Sequence, residues 1–129
     1  MSEKIELAYG FVCLREDGIM HVHIAYPGRI KLPLALEFYE ARKQLSNDKI
    51  YPILYTAGSK LLRPSGAVKK HMASLTRAET MLADAFVVNT IFQRFLGNLY
   101  LVFNKPYHPT AIFHKQENAI SWLNRFVQD

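Results

Sequence analysis

Ala83-Asp84-Ala85-Phe86-Val87-Val88-Asn89, followed at once by Thr90-Ile91-Phe92-Gln93, is the stretch that decides how this chain folds. Residues 83–89 are apolar on both parities, the pattern of a central strand covered on both faces, as parallel strands tend to be. Thr90 with Gln93 three residues on is a capping box. It opens a helix predicted over 91–104 that is apolar around most of its circumference. Gly97 lies inside that helix at a cost of about 1 kcal/mol relative to alanine, which close approach to another backbone would explain. A strand running into a helix is half of a crossover unit, and such units cross right-handed to give parallel neighbours.

Toward the C-terminus, Lys105-Pro106 and Pro109 stop the helix, and Thr110-Ala111-Ile112-Phe113 reads as a short strand. A final helix follows, with Ala119, Ile120, Leu123 and Phe126 inward and Trp122 beside them. His114 takes the N-cap place, with Glu117 spaced to fold back onto the helix start. Toward the N-terminus, Tyr51-Pro52-Ile53-Leu54-Tyr55-Thr56 has the length and content of a buried strand. Ser65-Gly66 starts a helix to about residue 74, and Thr76-Arg77-Ala78-Glu79 is a second capping box. Pro33 suits a first helical turn. Leu34, Phe38, Ala41 and Leu45 then recur at helical spacing, Glu37, Glu40, Arg42, Lys43 and Gln44 face water, and Ser46-Asn47-Asp48 ends the helix. Before it, residues 5–15 read as one strand, Glu16-Asp17-Gly18 as a turn, 19–25 as an alternating strand with His21 and His23 on its outer face, and 29–32 as a third strand. The expectation is one α/β domain over residues 1–129: an N-terminal antiparallel meander, then parallel β-α units, in a mixed sheet with flanking helices.

The chain has 129 residues, half of them apolar and 21% charged, which excludes a disordered tail, a collagen-like repeat and a coiled coil. Its apolar runs fall far short of the roughly 20 residues a bilayer span needs. One cysteine excludes an intrachain disulfide. The start shows no basic segment leading into an apolar one, so a cytoplasmic location is expected. The formal charge is +5, and its densest cluster is Lys60, Arg63, Lys69, Lys70, His71 and Arg77. No zinc-finger spacing, RNP-like strand or basic arm accompanies that cluster, so solvated helix faces account for it and nucleic acid is not an expected partner.

Cys13, inside Phe11-Val12-Cys13-Leu14, reads as a small buried hydrophobe. His21 and His23 share a strand face but lack a third ligand at metal spacing. His71, His108 and His114 are scattered, and Asp17, Asp48 and Asp84 stand alone. No G-x-S-x-G elbow and no phosphate-binding loop of Walker or G-x-G-x-x-G type occurs. With no nucleophile, base, metal site or cofactor motif, no enzyme is expected. In a sheet with parallel strands, ligands favour the crevice beyond the strands' carboxyl ends. Thr56, Ser59, Lys60, Arg63, Ser65 and Gly66 fall there, with Asn89 and Thr90 at the end of the next strand. Free N–H groups at Ser65-Gly66 with Lys60 and Arg63 suit a phosphate, a carboxylate or a phosphorylated side chain. The same residues also read as an ordinary strand-to-helix loop with a capping serine.

Ala85-Phe86-Val87-Val88-Asn89-Thr90, Phe103-Asn104-Lys105-Pro106, Ile112-Phe113 and Glu117-Asn118-Ala119-Ile120-Ser121-Trp122-Leu123 together resemble the C-terminal half of small bacterial SpoIIAA-like proteins. These belong to the STAS group, related in fold to the CRAL-TRIO lipid carriers. The resemblance covers about residues 50–128, and the K-P…P…F…E-x-A-x-x-W-L run is similar to an uncharacterised branch described as a domain of unknown function. It implies a mixed sheet with flanking helices and a regulatory or protein-interaction role without catalysis. It also implies a phosphoacceptor serine, whose place Ser65 takes with Ser59 just before it. The aspartate usual before that serine is absent, Pro64 standing there instead. The partner is then a protein or a second copy in a homodimer. The CRAL-TRIO likeness implies the alternative, a carrier of a lipid-like or anionic apolar ligand, lined by helix 91–104, Trp122 and the Lys60/Arg63 pair.

Overall fold

Six strands form one mixed sheet in the computed structural model, which describes residues 3–58, 63–72, 81–88 and 108–128. The elements are β1 (Glu3–Leu7), β2 (Gly10–Leu14), β3 (Met20–Ile24), β4 (Arg29–Ile30), α1 (Leu32–Ser46), β5 (Tyr51–Ala57), β6 (Arg63–Pro64), α2 (Gly66–Met72), β7 (Met81–Val87), β8 (Thr110–Phe113) and α3 (Gln116–Leu123), which runs into a 3-10 turn at Asn124–Phe126. The order across the sheet is β1-β2-β3-β5-β7-β8. β1, β2 and β3 are antiparallel. From β3 onward every neighbour is parallel: Met20 pairs with Ile53, Leu54 with Ala85, and Phe86 with Ile112. The predicted alignment of β5, β7 and β8 is therefore present.

Strand parity divides the core. Val12, Met20, Val22 and Ile53 face α1 and pack on Phe38 and Ala41. Leu54, Ala83 and Ala85 face the other way and pack with Ile19 on Ala119 and Leu123 of α3. Each buried aliphatic side chain contributes about 1.5–3 kcal/mol of transfer free energy, so both helices are held chiefly by what they cover. α1 ends where Asn47 and Asp48 take left-handed backbone, φ 49° and 68°, a conformation that these residue types tolerate.

Several expectations need correcting. Residues 5–15 are not one strand: the chain reverses at Ala8-Tyr9, and β1 folds back on β2 with Leu7 opposite Gly10. Gly10, just after the turn, takes φ 150° and lies so close to β3 that a Cβ there would overlap the His23 carbonyl oxygen. β4 is not the third strand of the meander; it pairs in parallel with β6 in a separate two-stranded sheet, Arg29 opposite Arg63. β7 starts at Met81, two residues before the predicted position, and ends at Val87. Lys115, not His114, holds the N-cap position of α3, without a side-chain bond. Arg42 does not face water: it is 2% exposed, its guanidinium 5.1 Å from the Tyr39 ring. The helices predicted from Thr76 and over 91–104 lie outside the described residues. Among the described residues, no helix is long and apolar enough to cross a membrane.

Candidate functional site

β3 places His21 and His23 on the sheet face opposite α1, each across from a β5 residue: Leu54 for His21, Thr56 for His23. Both imidazoles turn to one atom. His21 Nε2 and His23 Nδ1 each lie 2.7 Å from Thr56 Oγ1. A hydroxyl has one proton and two lone pairs, so between two neutral rings it can donate to one nitrogen at most, and at least one ring must give its N–H to the oxygen. The tautomers of the two rings are thereby coupled. Phe11, opposite His23 in β2, stacks on the His23 ring at 5.2 Å and meets the His21 ring edge-on at 5.1 Å. Lys4 Nζ lies 4.3 Å from the centre of the Phe11 ring. Burial, then His23, Arg15 and Lys4, lower the His21 pKa from 6.5 to about 4, and burial lowers that of His23. Both rings are neutral at neutral pH. The pair is therefore not a solvated feature, as the alternation suggested, but a half-buried polar clamp between β3 and β5. Cys13, read as buried, is partly exposed beside it, opposite His21.

A second polar group lies on the α1 side. Asp84, in the middle of β7, is buried, and its Oδ1 accepts the Thr110 hydroxyl at 2.5 Å. His108 Nε2 comes within 3.1 Å of the same oxygen, off the line that a good hydrogen bond needs. Neither ring nitrogen of His108 has a hydrogen-bond partner among the described residues. Asp84 is thus not solitary. Its signal in the sequence is a charge set between two alanines of an otherwise apolar strand, a placement that demands a partner.

The predicted site residues are distributed as follows. Thr56 is the penultimate residue of β5 and is committed to the histidines. Ser65 is the capping residue of α2: its Oγ accepts the Val68 N–H at 3.2 Å, and its own N–H donates to the Ile30 carbonyl at 2.8 Å. Gly66 begins the helix with open space around its Cα. α2 lies against α1, where Tyr39 meets His71 edge-on at 5.1 Å. Thr56 and α2 therefore belong to opposite faces of the sheet. Arg63 is placed by its backbone in β6. Ser59, Lys60, Asn89 and Thr90 lie outside the described residues. Among the described residues, no three His, Cys, Asp or Glu side chains gather to hold a metal.

A feature that hydropathy did not single out lies at the other end of the sheet. Ile5 and Leu7 of β1, with Pro33, Leu36 and Ala41 of α1, form the apolar floor of a shallow, open groove of about 510 Å³, rimmed by Glu37, Glu40 and Gln44. Leu36 stands 37% exposed there.

A mixed six-stranded sheet, antiparallel and then parallel, with helices on both faces defines the class: an α/β domain with a SpoIIAA-like fold. Residues 13–127 match the family described as Domain of unknown function (DUF7793), and the chain belongs to that family. A crystal structure of an uncharacterized protein from the DUF3478 family, with a SpoIIAA-like fold, from Shewanella loihica PV-4, superposes with a TM-score of 0.54 at 10% identity, over 95% of this chain and 92% of that one. At that identity the likeness shows the fold. No curated protein matches the chain.

Proposed function

We propose that the chain is a non-enzymatic interaction module that receives a protein partner in the groove between β1 and α1. The observation that carries this reading is the groove itself: aliphatic side chains left open to solvent at the edge of the sheet, with acidic residues on the rim. Apolar surface rimmed by polar groups is characteristic of recognition sites. The internal use of the candidate hydroxyls supports the absence of catalysis. Thr56 is buried against its two imidazoles and Ser65 caps α2, so neither hydroxyl combines a neighbouring base with access to substrate.

The test is site-specific photocrosslinking. A benzoylphenylalanine placed at Leu36 is expected to capture a discrete partner peptide, identified by mass spectrometry, while the same probe at exposed Lys70 on α2 does not. Equal labelling at both positions, or none at Leu36, would sink the reading.

A further inference from the structure

We infer that the partner seated at this edge is a second copy of the chain, joined by antiparallel pairing of β1 with β1 about a twofold axis through Ile5. This rests on the interaction reading and names its partner. The parity of the hairpin decides which backbone groups are available. Leu7 and Gly10 close the β1-β2 turn across two residues, which makes them a hydrogen-bonded pair. Glu3, Ile5 and Leu7 therefore turn their N–H and C=O groups toward β2. Those of Lys4 and Glu6 point outward from the sheet, and among the described residues β1 has no strand on that side.

A twofold axis at Ile5 puts Lys4 opposite Glu6 of the second copy, and Glu6 opposite its Lys4. These are the outward-facing residues, so each pair exchanges both of its backbone bonds. Their side chains share one face, and the charges opposite each other are of unlike sign, the favourable cross-strand arrangement. Centring the axis on Lys4 or on Glu6 instead would set like charge against like. Charge thus selects one register. Within one chain Lys4 Nζ already reaches Glu6 at 2.9 Å, an exposed contact of little worth that is exchanged for its intermolecular equivalents. On the α1 face, Ile5 meets its twin at the shorter non-hydrogen-bonded spacing. The groove floor of Leu7, Pro33 and Leu36 continues on either side of that contact. Edge strands are commonly protected from pairing by charge. Here the alternation Glu3-Lys4-Ile5-Glu6-Leu7 complements itself instead.

Native mass spectrometry and sedimentation of the full chain across micromolar to millimolar concentration test this. The wild type is expected to populate twice 14.9 kDa. Lys4→Glu, which sets Glu against Glu, and Glu6→Lys, which sets Lys against Lys, are each expected to weaken the dimer tenfold or more. The double variant Lys4→Glu/Glu6→Lys restores it. Both residues are exposed, so circular dichroism should show all variants folded. A wild type that stays monomeric throughout overturns the inference. So does a dimer indifferent to the single reversals, or one that the double swap fails to rescue. A monomer whose Leu36 probe captures another protein leaves the interaction reading standing and removes only the self-pairing; a monomer with no capture removes both.

Discussion

The hydroxyl of Thr56 on β5 and the imidazole of His21 on β3 are joined at 2.7 Å across two parallel strands, and His23 binds the same oxygen at the same distance. Removing the hydroxyl without changing the shape isolates this clamp. Thr56→Val leaves two half-buried imidazole nitrogens without their partner, and a group left unsatisfied costs about 1–3 kcal/mol. Urea denaturation at neutral pH is expected to show a loss of that size with an unchanged slope against denaturant. A neutral or stabilising result would mean that water replaces the hydroxyl at no cost.

The same site makes stability depend on pH, and the sign follows from the direction of the shift. The His21 pKa falls from 6.5 to about 4 on folding, and that of His23 also falls. Between those values the unfolded chain takes up the proton first. The contribution is therefore fully present above pH 6.5, declines as pH falls toward 4, and changes no further below that. His21→Gln keeps an amide within reach of Thr56 and cannot titrate. Its denaturation midpoint should fall less steeply over this window than that of the wild type. Parallel pH profiles would place the titration elsewhere.

Two glycines respond in opposite directions to the same substitution. At Gly10, with φ 150°, an added methyl runs into the His23 carbonyl oxygen. Gly10→Ala must push β2 away from β3 at this end of the pair, and its cost is expected well above the ~1 kcal/mol of a typical point substitution. At Gly66 nothing lies within 4 Å of an added methyl and the residue begins a helix. Gly66→Ala is expected to stabilise by about 0.4–1 kcal/mol through the unfolded state. Thermal unfolding of the two variants side by side checks both signs.

The parallel strands β5, β7 and β8 are legible in the sequence because burial on both faces leaves an apolar run in the first two, and Thr110 to Phe113 follows a proline. The N-terminal reversal is not. Ala8-Tyr9 carries none of the usual hairpin residues, and Gly10 acts through a close backbone approach that composition does not show. Charge alone assigns Arg42 to water, whereas on α1 it follows Ala41 into the buried part of the helix. The polar groups escape the sequence for a related reason. His21 and His23 stand 35 and 33 residues from Thr56 in the chain, and Asp84 and Thr110 are 26 apart. Each group exists only once parallel register brings its members together. The groove beside β1 likewise depends on α1 crossing the strand that the hairpin creates.

Ser65 separates a capping role from an exposed acceptor role by experiment. Its Oγ receives the Val68 N–H, satisfying one of the donors that a helix start leaves open. Ser65→Ala removes that acceptor at an expected cost of about 1 kcal/mol. Ser65→Asp supplies a carboxylate that caps as well as serine and adds negative charge where the helix dipole favours it. Its stability should therefore match or exceed that of the wild type. Hydrogen exchange at Val68 and Lys69, whose amides donate to Ser65 Oγ and to its carbonyl, is the local readout. The alanine variant should exchange faster at Val68, and the aspartate variant should not. If aspartate frays the helix as alanine does, the hydroxyl at residue 65 is doing something other than ending α2.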